Sequence, residues 1–331
     1  MPLTDAEIEN LLLPKHGPVW RPDPSKQSDV HSLDGFASNF LAHAKAIFAN
    51  VAARRAPSIT THLMLLEKED LNAFAGRPGD KNYLICLNRG LIRKTRDAFY
   101  SASGTKLLAK HFPKIYTIDP NFLPLQASFL AITFVFFHEY AHVFRGHLGY
   151  LKSVKLDEDE VLEAAGSKMS PAKIRARYLV ECDADTWGGY LVARSVWQTV
   201  ETVIQGQPAG MHPALAEEVV ALSGFAVALL FRVMESTGRP TALYPPHIVR
   251  SAIVETQMML GLQEMENTPR TLGIASISGT VVTGMAHGNV LAKDLALAEA
   301  AIDGKAAAEA WIKNDAPAVN SLTALLKPFL P

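Results

Sequence analysis

The segment His138-Glu139-Tyr140-Ala141-His142, at the end of the apolar run Ala127–Phe137, constrains this chain more than any other feature in it. The run reads Ala-Ser-Phe-Leu-Ala-Ile-Thr-Phe-Val-Phe-Phe, and Pro120 and Pro124 mark the turn before it, so the pattern predicts a buried helix ending in three polar groups. Buried polar groups need partners. Positions four apart on a helix differ by about 40° around the axis and about 6 Å along it. Two imidazoles so placed can reach one ion at about 2.1 Å, the bond length of zinc to a ring nitrogen. Glu139, one residue after the first ring, is offset from such an ion yet near enough to hydrogen-bond a water on it. The alternative is a pair of ordinary helix histidines with Glu139 on a solvated face, and the apolar run argues against it.

A catalytic zinc site keeps three protein ligands and one open position. A third ligand from the same stretch would need Gly three residues after His142 and His three beyond that, but Arg145 and Leu148 stand there and His147 is one residue early. A second helix is the better source. In Tyr178-Leu179-Val180-Glu181-Cys182-Asp183-Ala184-Asp185-Thr186-Trp187, Glu181 and Asp185 share one face, among apolar neighbours. Glu181 is therefore the candidate third ligand. Asp185 is the candidate acceptor for the remaining N–H of one ligand imidazole, which would fix its tautomer. Cys182 points about 100° away from Glu181 on a helix and reads as a buried structural thiol.

The HExxH helix followed by a helical Glu-x-x-Ala-Asp resembles the gluzincin metallopeptidases, and within them the HtpX and CAAX-prenyl-protease group. Asn72-Ala73-Phe74-Ala75, then Gly76 to Asp80, then Tyr83-Leu84-Ile85-Cys86-Leu87-Asn88-Arg89-Gly90-Leu91, is similar to that group's strand, turn, strand and helix. Tyr244-Pro245-Pro246-His247-Ile248-Val249-Arg250 keeps the Pro and Arg of a downstream motif, with Tyr244 where the group carries His. The resemblance covers roughly residues 60 to 250. It implies a zincin-like core, bound Zn2+, a peptide bond as substrate, Glu139 as general base, and Asn72, Ala73, Phe74 and Ala75 on a substrate-binding strand. Tyr244, His247 and Arg250 are its candidate donors to a developing oxyanion. A soluble chain of this size is also similar to the Lit-type phage-exclusion peptidases of bacteria, which cut a host translation factor.

The fold class expected is α+β, mostly helical. Thr60 to Leu66, Ala73 to Phe74 and Tyr83 to Leu87 read as strands of a small mixed sheet, whose edge can take an extended peptide. Helical spacing recurs over Val30–Arg55, Glu217–Met234, His247–Leu262, Ala286–Ala300 and Ala306–Leu326, the later ones forming a C-terminal cap. Residues 1–30, with Pro14, Pro18, Pro22 and Pro24, read as an extended N-terminal arm. The organisation expected is this arm, a catalytic core over 31–250 and a helical extension over 251–331. Asp157-Glu158-Asp159-Glu160 reads as a solvated face or helix start.

With 32 Lys and Arg against 33 Asp and Glu, no global field draws in nucleic acid or an acidic membrane. The consecutive apolar runs fall short of the ~18 residues a span requires. The two cysteines, Cys86 and Cys182, lie far apart, which fits a reducing cytoplasm. The expected function is thus a cytoplasmic zinc metalloendopeptidase acting on a protein or peptide. The alternatives are a non-catalytic zinc-binding scaffold, acting as a sensor or toxin partner, and a zinc hydrolase of a non-peptide amide.

Overall fold

A computed structural model describes residues 3–52, 59–79, 81–156, 170–235, 244–266, 276–295 and 304–330. The acidic run Asp157–Glu160 lies outside them. The chain divides into two compact units, and the division is not linear: the first takes Met1–Lys94, Glu139–Val180 and Ser321–Pro331, the second Thr95–His138 and Glu181–Asn320. The chain is mostly helical with one small mixed sheet, the α+β composition expected.

The first unit is built on strands β1 (Thr60–Leu66), β2 (Ala73–Gly79) and β3 (Asn82–Asn88), in the order β1-β3-β2. β3 pairs parallel with β1, Leu63 opposite Ile85, and antiparallel with β2, Ala75 opposite Ile85. β3 is buried along its whole length, as its run of Tyr, Leu, Ile and Cys dictates. The outer edge of β1 is closed by residues 18–20: Trp20 N donates to Leu65 O at 2.8 Å and Glu67 N to Pro18 O at 2.9 Å. β2 is thereby the other outer strand.

The N-terminal segment is not an extended arm. It forms α1 (Asp5–His16), started by a capping box in which the Glu7 carboxylate accepts from Thr4 N and the Thr4 hydroxyl accepts from Glu7 N. Its buried Ile8 and Leu12 pack on Met64, Leu66, Leu84 and Cys86 of the sheet. Pro14 is tolerated because it sits near the helix end, where only one ladder bond is lost. α2 (Leu33–Ala52) buries Phe36, Phe40 and Ala44, matching its expected spacing.

The remaining helices are α3 (Arg89–Tyr100), α4 (Ala102–His111), α5 (Pro113–Ile118), α6 (Phe122–Phe144), α7 (His147–Ser153), α8 (Pro171–Ile204), α9 (His212–Glu235), α10 (His247–Glu266), α11 (Ile277–Asp294), α12 (Gly304–Asn314) and α13 (Ala316–Leu326). In the first unit Leu151, Leu156, Ala176 and Val180 cluster with Leu322 and Leu326. In the second, α9 and α11 lie backbone to backbone: a Cβ on Gly284 would stand 1.8 Å from Ala221 O, so no larger residue fits. The helix expected over Ala306–Leu326 is two, α12 and α13, because Pro317 cannot continue the first ladder but suits the opening turn of the next.

Counting consecutive apolar residues understated two helices. Phe122–Phe144 and Ala209–Glu235 are each long and apolar enough to cross a membrane by length and composition, and 78% and 83% of their most apolar windows are buried inside the protein, as in core helices.

Candidate metal centre

α6 is a 23-residue helix whose residues 130–143 are all buried, and it brings His138, Glu139 and His142 to its C-terminal end at 5%, 7% and 3% exposure. α8 supplies Glu181 and Asp185, also buried, one turn apart. His138 Nε2 lies 3.3 Å from Glu181 Oε2. Among the described residues, His138, His142 and Glu181 form the group of His, Cys, Asp and Glu side chains able to hold a metal ion, their donor atoms within 4.8 Å of one another. Tetrahedral coordination at about 2.1 Å puts donor atoms about 3.4 Å apart, so the 3.3 Å separation already fits such an ion. Two imidazole nitrogens and one carboxylate oxygen are a donor set suited to zinc.

The close approach of α8 to α6 depends on Gly188. A Cβ there would meet Phe134 Cε2 at 3.1 Å, His138 N at 3.2 Å and His138 Cα at 3.3 Å, tighter than ordinary contact. The helix backbones can therefore come together just where the ligands must meet.

Behind the ligands, Asp185 Oδ1 is 2.8 Å from His138 Nδ1. Arg250, on α10, grips the same carboxylate with two bonds, Nε donating to Oδ2 at 2.7 Å and Nη2 to Oδ1 at 2.9 Å. Its guanidinium also lies 3.9 Å from Glu181 Oε2 and over the Phe231 ring at 5.4 Å. Burial works to push His138 down, but the adjacent Asp185 charge, with hydrogen bonds from Asp185 and Glu181, holds the ring up at about 9 when no ion is bound. Burial works to raise Asp185, and Arg250 together with His138 outweighs it and keeps that carboxyl below its ordinary range.

The structure thus brings together the predicted His138, His142, Glu181 and Asp185. Arg250 joins them through Asp185, to which its Nε and Nη2 donate. Tyr244 is half-buried and close enough to interact electrostatically with Arg250, and the His247 ring packs 6.2 Å from that of Phe231. Ala73, Phe74 and Ala75 open β2 in the first unit and Asn72 directly precedes it. The Phe74 side chain stacks on His16 at 4.5 Å and packs against the α1 cluster, so it anchors α1 to the sheet. Cys182 is fully buried, and burial pushes its thiol far up, which suits a packing residue. His147, set aside in the sequence as misplaced, has its Nδ1 3.1 Å from His142 Nδ1.

Compared with known proteins, residues 42–226 match the family model for peptidase family M48. No curated protein and no solved structure matches the chain. The matched span contains the sheet, α6, and the part of α8 that bears Glu181 and Asp185; Arg250 lies beyond it.

Proposed function

The chain belongs to peptidase family M48, and from that premise we propose that it is a zinc-dependent metalloendopeptidase of the gluzincin type, allied to the HtpX and CAAX-prenyl-protease group. His138, His142 and Glu181 would hold the ion, which when bound acidifies a water in its open position and polarises the carbonyl of the substrate. Glu139 is the general base. It follows His138 by one residue on α6, takes the proton of the attacking water on its carboxylate, and returns it to the nitrogen of the departing amine. Asp185 accepts the Nδ1–H of His138, which leaves the Nε2 lone pair, beside Glu181, free to hold an ion. Arg250 holds Asp185 in the orientation that does this. Tyr244 and His247 are the candidates to donate to the oxyanion. The substrate is an extended segment of a protein or peptide, bound by main-chain hydrogen bonds to the edge of β2 at Asn72–Ala75.

The observation that carries this reading is the convergence of two imidazoles and a carboxylate, all buried, on one small volume. Glu139→Gln tests it. The variant is expected to keep one zinc per chain by elemental analysis while losing peptide hydrolysis by about 10²–10⁴-fold, the usual worth of a general base. A Glu139→Gln protein as active as wild type would remove Glu139 from the chemistry, and chelator-insensitive hydrolysis would remove the metal.

A further inference from the structure

We propose that His147 is a positioning residue for the metal centre, the partner that fixes the ring of His142 as Asp185 fixes that of His138. The inference rests on the reading of His142 as a ligand. An uninterrupted helix would carry His147 about 140° around the axis from His142 and about 7.5 Å along it, out of reach. The chain does not continue that way. α6 stops at Phe144, Arg145 N still donates to Ala141 O at 2.9 Å, and Gly146 then turns left-handed, with φ 76° and ψ 16°. α7 starts at His147 in a new direction. The result is a ring with no solvent exposure whose Nδ1 stands 3.1 Å from His142 Nδ1, the two ring planes at 74°.

Chemistry assigns the direction of that bond. A neutral imidazole that gives the Nε2 lone pair to a cation carries its proton on Nδ1. His142 Nδ1–H therefore donates, and His147 Nδ1 accepts. The bond fixes both tautomer and ring orientation, so the Nε2 of His142 faces the ion without a search over rotamers. The two ligand rings of α6 then have separate supports, a carboxylate for His138 and an imidazole for His142.

The turn that delivers His147 is itself held down by the C-terminal segment. A Cβ on Gly146 would lie 2.5 Å from Phe329 O, Tyr150 packs on the Phe329 ring with centroids 6.0 Å apart, and Arg145 Nη2 donates to Thr323 Oγ1 at 2.8 Å. Phe329 and Thr323 lie outside the span that matches the family model, whereas Arg145, Gly146 and Tyr150 lie within it.

The test compares the full-length chain with His147→Leu, His147→Asn and His142→Ala, reading zinc affinity by competition with a chromophoric chelator and metal-free melting by circular dichroism. His147→Leu keeps apolar bulk and removes the acceptor, and zinc binding is expected to weaken about 10–100-fold. His147→Asn places an amide oxygen near the lost Nδ1 and is expected to recover most of the affinity, whereas a purely space-filling role would favour Leu over Asn. Wild-type affinity in His147→Leu alongside lost affinity in His142→Ala would overturn the positioning role and leave the metal reading intact. Equal binding by wild type and His142→Ala would remove both. Should His147→Leu not fold, long-range proton–nitrogen correlation of the histidine rings in zinc-loaded wild type decides: a slowly exchanging Nδ1–H on His142 supports the assignment, and metal bonded through His142 Nδ1 overturns it.

Discussion

Arg250→Met strands the Asp185 carboxylate, and the size of the penalty tests how the ligand cluster is supported. Asp185 is fully buried, takes two hydrogen bonds from Arg250, and touches His138. Deleting one member of a buried ion pair costs about 3–5 kcal/mol, whereas replacing both members by apolar groups is often near neutral. Here His138 remains as a second partner, held up at about 9 when no ion is bound, so the lower end of the range, about 3 kcal/mol, is expected for Arg250→Met. Asp185→Leu leaves Arg250 with the weaker contacts, Glu181 at 3.9 Å, the His138 ring at 3.5 Å, Tyr244 and the Phe231 face, and a comparable loss is expected. The double variant should be less destabilised than the sum of the two by about 1–3 kcal/mol, the coupling of residues in one network. With about 2.1 cal/mol/K of unfolding entropy per residue, 331 residues shift in Tm by about 1.4 °C per kcal/mol, so Arg250→Met should melt about 4 °C below wild type in chelator at pH 7. Additive single and double variants, or an Arg250→Met protein melting within about 1 °C of wild type, would refute the claim that Arg250 holds Asp185.

Gly188→Ala should force α8 away from the His138 backbone by a few tenths of an ångström, costing about 1–3 kcal/mol and weakening zinc binding; unchanged melting and affinity would show that the close approach is not needed. Gly146→Ala combines a left-handed φ of 76° with a Cβ 2.5 Å from Phe329 O, and urea unfolding should show a loss of about 1–3 kcal/mol, while an unchanged midpoint would mean the turn relaxes freely. His111 and His287 stack with centroids 3.5 Å apart; burial, then the neighbouring ring and Lys110, keeps His111 below its ordinary pKa, and burial with Lys110 does the same for His287. The unfolded chain binds these protons near pH ~6.5 and the folded one resists, so stability should be full above about pH 7 and fall as the pH drops below about 6.5. His287→Asn should flatten that fall in Tm; parallel curves would exclude the pair as its source.

What could be read in advance divides by how far along the chain a contact reaches. β1 is found at Thr60–Leu66 as expected, and α6 with its His138, Glu139 and His142 follows from periodicity, because neighbours on one strand or helix are set by local geometry. The pairing of Glu181 and Asp185 was legible for the same reason. α1 reads as part of an extended arm because Pro14, Pro18, Pro22 and Pro24 interrupt the pattern, although Thr4 and Glu7 spell a capping box. Arg250 reads from the sequence only as a candidate oxyanion donor, and its pairing with Asp185 is not legible there: nothing in its own neighbourhood says that a carboxylate 65 residues earlier will accept from Nε and Nη2. His147 failed differently. Helical register does not reach it, because α6 ends at Phe144 and the left-handed turn at Gly146, the residue before it, places its ring against His142. Spacing arguments hold only while the helix does. In this chain the left-handed turn at Gly146 and the missing Cβ at Gly188 set what packs against the two imidazoles of α6, and neither can be read from the spacing of those imidazoles.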